Sequence, residues 1–512
     1  MTDDLERLAN GVLWPGFFGT EAPGWLRDEL RDGLAGVVYF GQNVGEGLPA
    51  LSAEILDANP DALIGIDEEG GSVTRLESAT GSTVPGAAQL GLLDDLVASE
   101  KTGAELARRV RAVGANVVLG PVADVNTDPR NPVIGVRAFG DDEALVSRHV
   151  VATIDGIQDG AVAACVKHFP GHGDTHMDSH HSLPEITLDL EEFERVHLEP
   201  FRAAVDAGVD AVMTAHIVVP AWGEQPATLN PRVLGMLRDW GYDGVIITDA
   251  LDMAAIRETV GLGGGAALAL AAGADLLCIG NPTNPGDAAL PDQDEQDFRA
   301  ARDGIVAALR DGSLSRSRVE EAAARVAALA SKLRAAAAEH QQESDEFDAA
   351  VFDAAEILRR VMTISGGTPE VASELAVIDA RRRSTLAVDS AGSYVASALA
   401  GDGLRVRLDV ASAPVSEQDR VLDEVSAAAV TASATTVLLI DRPDTDAAQR
   451  ALVERAALRD PRAVVVNVGL PTADPLPLPT VEVAAASRLG AQTARDALLG
   501  RFSVQQRMTS AG

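Results

Sequence analysis

The sequence predicts an α/β protein in which a (β/α)8-type TIM barrel is followed by a smaller three-layer α/β/α sandwich domain. Two observations support this prediction. Short apolar runs alternate with longer amphipathic stretches along the chain, and repeated strand–helix alternation is typical of a parallel sheet. The chain has 512 residues, which is too long for one ordinary hydrophobic core, so we expect two domains.

The barrel is predicted to occupy residues 1–342. Seven apolar runs in this region have the length and composition of buried strands. They lie at residues 36–40, 62–66, 116–119, 161–166, 211–214, 244–248 and 275–279. Amphipathic stretches at residues 96–113, 143–158 and 190–207 have the periodicity of helices. This many units suggests a barrel, and the run at residues 12–18 fits either an entry strand or an N-terminal cover.

The second domain is predicted to occupy residues 343–512, after a helical pattern at residues 315–340 and a polar linker at 341–346. Its predicted strands lie at residues 375–378, 386–388, 406–410, 436–440, 463–468 and 481–483. Its predicted helices lie at residues 417–429, 446–457 and 490–499. The strand ends are poor in histidine and in paired carboxylates. We therefore expect an accessory domain that supplies no catalytic group.

Composition excludes several classes of partner. The net charge of −35 disfavours nucleic acid and anionic membrane surfaces. The N-terminal residues lack the basic and apolar regions of a secretory signal, and no apolar run approaches the ~18 residues of a membrane span. Cys165 and Cys278 lie in apolar runs and are expected to be core thiols in a reducing compartment. These features favour a cytoplasmic protein.

Polar residues follow the predicted barrel strands. Because the carboxyl ends of barrel strands meet on one face, residues at these positions are expected to share a pocket. Any one of them alone is better explained by strand termination, and the series of six indicates a site. They are Asp67, Asp124, the pair Lys167 and His168, His216, Asp249 and Asn281.

One segment, residues 166–184, holds five of the nine histidines and is called here the histidine-rich loop. A solvated polar loop is one interpretation. A metal site is another, because histidines recur every fourth residue from His168 to His180, but Pro170 and the neighbouring glycines break the helix that this spacing requires. The third is catalysis by a pair in which Asp178 orients His180 and stabilises its protonated form.

The loop carries a resemblance to a known family. Residues 167–175, Lys-His-Phe-Pro-Gly-His-Gly-Asp-Thr, and residues 178–184, Asp-Ser-His-His-Ser-Leu-Pro, resemble the signature of family 3 glycoside hydrolases. They are most similar to the bacterial β-N-acetylglucosaminidases of that family. The resemblance implies that His180 is the acid/base with Asp178 as its partner, and that no metal ion or other cofactor takes part.

The candidate nucleophile is Asp249. It directly follows the apolar run at residues 244–248, which would fix its position, while the rival carboxylate Asp252 lies one turn further along. The segment Thr-Asp-Ala-Leu-Asp-Met at residues 248–253 resembles the nucleophile motif of the family, and its first aspartate corresponds to Asp249.

The resemblance also implies a set of sugar-binding residues. Two departures from the family pattern accompany it: Ser72 stands where the family often has arginine, and Ala138 where serine is common. The implied substrate-binding residues are Asp67, Arg137, Lys167 and His168.

The expected function is that of a retaining exo-β-N-acetylglucosaminidase. It would remove terminal GlcNAc from peptidoglycan or chitin-derived fragments by double displacement through a glycosyl-enzyme. The expected partner is a small saccharide with β-linked GlcNAc. Three alternatives remain open: a phosphorylase that uses the same residues with phosphate as acceptor, a metal-dependent hydrolase built on the histidine-rich loop, and a sugar-binding protein without activity.

Overall fold

A computed structural model of the chain describes residues 4–175, 184–186, 188–257, 259–343, 352–382 and 392–506. The chain forms two compact units. The first contains Met1–Glu69, Ser99–Ile134 and Asp141–Ala350, and the second contains Gly70–Ala98, Gly135–Gly140 and Val351–Gly512. The predicted division after residue 342 did not anticipate that residues 70–98 and 135–140 group with the C-terminal part.

Eight strands of the first unit run parallel. They are β1 (Leu13–Pro15), β2 (Gly36–Tyr39), β3 (Leu63–Ile66), β4 (Val117–Val118), β5 (Ala163–Phe169), β6 (Ala211–Thr214), β7 (Val245–Ile247) and β8 (Leu277–Gly280). Strands β2 to β7 pair in sequence order. An isolated parallel bridge joins Ile247 of β7 to Leu276, next to β8, and β8 pairs with β1. Since β1 also lies against β2, the strands form a TIM-barrel-like domain, which confirms the predicted fold class.

The run at residues 12–18 thus contributes a barrel strand and is not a cover. Its Trp14 is fully buried, and the indole Nε1 donates a hydrogen bond of 2.7 Å to the Leu63 carbonyl. The ring occupies the space beside Gly65, where a side chain would collide with it. A large side chain on β1 and a glycine on β3 therefore pack as a matched pair.

The α-helices described before residue 344 include those predicted at residues 96–113, 143–158, 190–207 and 315–340, together with others for which no bounds were predicted. They are Asp4–Asn10, Gly24–Arg31, Leu48–Ala58, Ala87–Leu93, Leu96–Ala112, Glu143–Asp159, Leu190–Val196, Glu199–Asp206, Pro231–Asp239, Ala254–Arg257, Gly261–Ala272, Gln293–Asp311 and Arg316–Glu343. The stretch at 190–207 is two helices and not one. Pro200 lies in the first turn of the second helix, where its missing N–H is tolerated, but it cannot continue the helix before it.

The second unit contains a seven-stranded sheet in the order β11-β10-β12-β13-β14-β9-β15. Its strands are β9 (Thr363–Ser365), β10 (Glu374–Asp379), β11 (Arg405–Arg407), β12 (Ala434–Ile440), β13 (Val464–Asn467), β14 (Thr480–Glu482) and β15 (Gln505–Gln506). All neighbours are parallel except β9 and β14. Strands β9 and β15 were not predicted, and the predicted strand at 386–388 lies outside the described residues.

Helices cover both faces of this sheet. The helices after residue 352 are Ala354–Val361, Ser393–Ala400, Val415–Ala432, Ala447–Arg459 and Arg488–Leu498. Along β12, Val437 and Leu439 join one hydrophobic cluster while Leu438 and Ile440 join another. Because side chains alternate across a strand, the sheet separates two cores, as the predicted three-layer sandwich requires.

Residues 70–98 belong to the second unit through hydrogen bonds to its C-terminal part. The Ser72 hydroxyl accepts a bond of 2.9 Å from the Ala486 amide, and the Gln89 side chain donates one of 2.8 Å to the Val483 carbonyl. Ser72 is the position where the family often has arginine. In this chain the hydroxyl serves the internal packing of the second unit.

None of the described helices combines the length and the apolar composition that a bilayer crossing demands.

Two glycines bring the helices Gly261–Ala272 and Gln293–Asp311 close together. A methyl group on Gly304 would lie 2.5 Å from the Cα of Gly263, which is closer than packed atoms allow. We expect Gly304→Ala to lower the free energy of unfolding by about 1–3 kcal/mol because the helices must separate. Gly235→Ala is the matched control, since open space surrounds that helical glycine and alanine should stabilise it by up to about 1 kcal/mol. Urea unfolding measures both, and a gain in stability for Gly304→Ala would contradict the packing described.

Candidate active site

The carboxyl end of β5 brings a lysine between two carboxylates. Lys167 Nζ lies 2.7 Å from Asp67 Oδ1 and 2.7 Å from Glu69 Oε1, and its side chain is 3% exposed. Asp67 follows β3 directly, so residues about 100 positions apart in sequence meet at neighbouring strand ends. The ion pairs hold the Asp67 carboxylate in a defined position.

Because the barrel strands are parallel, the residues that follow β3 and β7 lie at the same end of the barrel. Burial raises the pKa of Cys278 on β8 well above its usual value, and the nearby charges of Asp249, Asp252 and Asp67 raise it further. These carboxylates follow β7 and β3. The predicted nucleophile and one predicted sugar ligand therefore lie around the same end of the barrel.

Asp249 and Asp252 differ in their surroundings. Asp249 is half-buried, and its own carboxylate accepts a 2.8 Å hydrogen bond from the Ala250 amide. Asp252 is almost fully buried, and burial raises its pKa to about 7 although Asn284 donates a hydrogen bond of 2.7 Å to it. A carboxyl group that is protonated near neutral pH is a poor nucleophile. Of the two carboxylates, Asp249 is better suited to covalent catalysis.

His216 supports the segment that carries Asp249. Its Nε2 donates to the Ala250 carbonyl at 2.9 Å, and its Nδ1 lies 2.9 Å from the Thr228 hydroxyl. The ring is fully buried. Both ring nitrogens thus bond to protein groups, which assigns His216 to the framework of the site.

His168 lies beside a buried aspartate that follows β4. His168 Nδ1 is 2.7 Å from Asp124 Oδ2, and the other oxygen of Asp124 accepts a 2.6 Å bond from the His172 amide. Burial raises the pKa of Asp124, but the interactions with His168 and His172, including the hydrogen bonds from His168 Nδ1 and the His172 amide, outweigh it, so the pKa is lowered. Asp124 is an ionised partner for the loop that follows β5.

The histidine-rich loop is described as far as Thr175. Burial lowers the pKa of His172 to about 4, so this ring is neutral at pH 7 and has no proton to give as an acid. Asp174 accepts a 2.9 Å hydrogen bond from the Thr127 hydroxyl. The predicted acid/base pair of Asp178 and His180 lies outside the described residues, as does His176.

Among residues whose placement is described, no three histidine, cysteine or carboxylate side chains form a group suited to hold a metal ion. The described part of the loop offers His168 and His172, but His168 Nδ1 bonds to Asp124 and His172 Nδ1 to the Thr175 hydroxyl.

Arg137, the remaining predicted sugar ligand, belongs to the second compact unit. It ends the short 3-10 helix Gly135–Arg137 and is 7% exposed. Its role in sugar binding stays a prediction.

Removing the lysine between the two carboxylates should destabilise the fold. We expect Lys167→Met to lower the free energy of unfolding by about 3 kcal/mol or more, because a buried ion pair that loses one partner leaves uncompensated charge. Arg334→Met is the control: Arg334 pairs with Asp61 at 2.6 Å, the two side chains are 57% and 50% exposed, and such exposed pairs contribute about 1 kcal/mol at most. Denaturant unfolding at pH 7 measures both. Equal losses of unfolding free energy in the two variants would contradict the expected difference between a buried and an exposed ion pair.

Sequence reasoning gave no specific role to Glu69 or Asp124, although it placed Asp124 in the series of strand-end residues expected to share a pocket. Nothing in the sequence distinguishes Glu69 from the neighbouring Glu68, because the choice depends on which carboxylate faces Lys167.

Comparison with known proteins identifies the family of the chain. The model of the glycosyl hydrolase family 3 N terminal domain matches residues 29–329, more than half of the chain. A β-hexosaminidase of Xanthomonas oryzae pv. oryzae is 37% identical over 286 residues, which cover 53% of this chain and 84% of that protein. β-Hexosaminidase A of Pseudoalteromonas piscicida is 32% identical over 255 residues, which cover 44% of this chain and 42% of that longer protein.

A solved structure matches both domains. The glycoside hydrolase family 3 β-N-acetylglucosaminidase from Paenibacillus sp. str. FPU-7 aligns with a TM-score of 0.80 at 30% identity, covering 98% of each chain. The family match therefore extends to the architecture of the whole chain. This chain belongs to glycosyl hydrolase family 3 and is a glycoside hydrolase.

Proposed function

We propose that the protein is a retaining exo-β-N-acetylglucosaminidase that removes terminal GlcNAc from peptidoglycan or chitin-derived fragments. The observation that carries the proposal is Asp249, a half-buried carboxylate two residues after a buried barrel strand, at the barrel end where Asp67 also lies. Membership of glycosyl hydrolase family 3 and the names of the relatives, β-hexosaminidase and β-N-acetylglucosaminidase, support the choice of sugar.

In this proposal Asp249 attacks the anomeric carbon and forms a covalent glycosyl-enzyme, which water then hydrolyses. The attack builds positive charge on the sugar ring, and carboxylates at the same barrel end stabilise that charge. Asp67, held by Lys167, binds sugar hydroxyls together with Lys167, His168 and Arg137. His180, assisted by Asp178, protonates the leaving group and later activates the water.

The second domain supplies no catalytic group in this scheme. Substituting single acidic residues at the loops of that domain should therefore leave turnover nearly unchanged while folding is intact. The proposal also places the protein in the cytoplasm, which is consistent with two buried free cysteines.

The test is incubation with an aryl β-N-acetylglucosaminide and NMR of the sugar product from the first turnovers. We expect free GlcNAc, released as the β-anomer. Adding phosphate should not change this product. GlcNAc 1-phosphate as the main product would replace hydrolysis by phosphorolysis, and the α-anomer would exclude retention. Activity lost after exhaustive chelation and restored by a metal ion would favour a metal-dependent hydrolase. An aryl β-glucoside serves as the control for sugar specificity.

A further inference from the structure

Asp124 connects a barrel strand end to the histidine-rich loop. It is fully buried and makes three hydrogen bonds. Its Oδ2 accepts from His168 Nδ1 at 2.7 Å, and its Oδ1 accepts from the His168 amide at 3.3 Å and the His172 amide at 2.6 Å. One carboxylate thus holds both a side chain of β5 and the backbone of the loop that follows.

The charge of this carboxylate decides which nitrogen of His168 carries a proton. An ionised carboxylate only accepts hydrogen bonds, so His168 Nδ1 is the donor. No described residue bonds the second ring nitrogen, Nε2, which we assign to the ligand. Without Asp124 the ring is free to adopt the other tautomer. In that tautomer Nε2 carries the proton, so it donates a hydrogen bond to the ligand instead of accepting one.

We propose that Asp124 is a positioning residue that sets the tautomer and orientation of His168 for sugar binding and, through the His172 amide, anchors the start of the histidine-rich loop. The inference rests on the proposed function, because it requires that His168 contacts the sugar. It adds to that function a residue that does not touch the substrate but on which two parts of the site depend.

Two substitutions distinguish the bond of Asp124 to His168 from its bond to the loop backbone. In Asp124→Asn the amide oxygen can still accept from the His172 amide, but the amide nitrogen can only donate to His168 Nδ1. We expect this variant to keep the loop anchored and to hold His168 in the opposite tautomer, with the proton on Nε2. Asp124→Ala removes both. Thr127→Val is the matched control, because it deletes a 2.9 Å hydrogen bond to Asp174 on the same loop without touching Asp124.

The test combines kinetics with NMR of protein labelled with 15N-histidine. In the parent protein we expect a slowly exchanging imidazole Nδ1–H signal that Asp124→Asn and His168→Gln both remove and Thr127→Val keeps. For an aryl β-N-acetylglucosaminide, kcat/KM should fall about tenfold or more in Asp124→Asn. Adding Asp124→Asn to His168→Gln should cost no more than about twofold further, because both changes remove the same interaction. Thr127→Val should stay within about twofold of the parent.

Several results would overturn the inference. Additive losses in the double variant, with thermal unfolding close to that of the parent, would mean that Asp124 does not act through His168. If the parent protein lacked the His168 Nδ1–H signal, the inference would also be wrong. This measurement does not depend on whether the Asp124 variants fold. A parent that hydrolyses another aryl β-glycoside instead would contradict the proposed sugar, and the double-mutant cycle would then be measured on that substrate.

Discussion

Asp249→Asn should lower kcat/KM for an aryl β-N-acetylglucosaminide by roughly four orders of magnitude or more, as expected when the nucleophile of a covalent mechanism is removed. The amide cannot form the glycosyl-enzyme, and no other described carboxylate is placed to replace it. Asp67 pairs with Lys167, and Asp252 is buried. The loss should appear in kcat, because the amide keeps the size and shape of the side chain.

Asp252→Asn is the matched control for this experiment. The Asp252 carboxyl has a pKa raised to about 7 by burial, so its protonated form resembles an amide in charge. We expect this variant to stay within about tenfold of the parent. A slow fluorinated substrate should label the peptide that carries both residues, and fragmentation should locate the label on Asp249. Label on Asp252, or a larger loss in Asp252→Asn than in Asp249→Asn, would exchange the two roles.

The barrel could be predicted from the sequence because its strands are short and mostly apolar, with polar residues such as Lys167 and His168 at the carboxyl end of β5. Strand β6 was predicted with the bounds found in the structure, and most others agree within a few residues. Strands β9 and β15 are three and two residues long, and β15 is exposed and polar, so neither has a strand-like pattern. Their pairing depends on neighbours far away in sequence, which periodicity does not reveal.

The grouping of residues 70–98 with the second unit could not be predicted for the same reason. Those residues follow a barrel strand, and the sequence gives no sign that Ser72 and Gln89 bond to the backbone of Ala486 and Val483. Partners about 400 positions apart are set by tertiary structure alone.

Strand ends located the candidate site but did not rank its residues. Asp67, Lys167, His168 and Asp249 were predicted from their positions after or within apolar runs. That Lys167 is shared by two carboxylates, or that His216 uses both ring nitrogens on protein groups, depends on side-chain geometry across strands. Such facts separate ligand-binding residues from supporting ones only once the strands are placed side by side.

His180→Ala should be strongly impaired only when the leaving group needs a proton. We expect a loss of about 10²–10⁴-fold with an alkyl or sugar leaving group, and a much smaller loss with an activated aryl group, because general-acid catalysis matters most for a basic leaving group. Asp178→Ala should show the same pattern more weakly. Small anions such as azide should partly restore turnover of the activated substrate, since they attack the glycosyl-enzyme without help from a base.

In the described part of the loop, His172 is poorly suited to act as the general acid. Burial lowers the pKa of His172 to about 4, so this ring is neutral at pH 7, while His168 Nδ1 bonds to Asp124. His172→Gln is therefore the control: it should slow good and poor leaving groups by a similar factor, because it changes packing and not proton transfer. If His180→Ala behaved in that way and azide had no effect, His180 would be a binding residue. The acid would then have to be sought at Asp174 or His176, by the same leaving-group comparison.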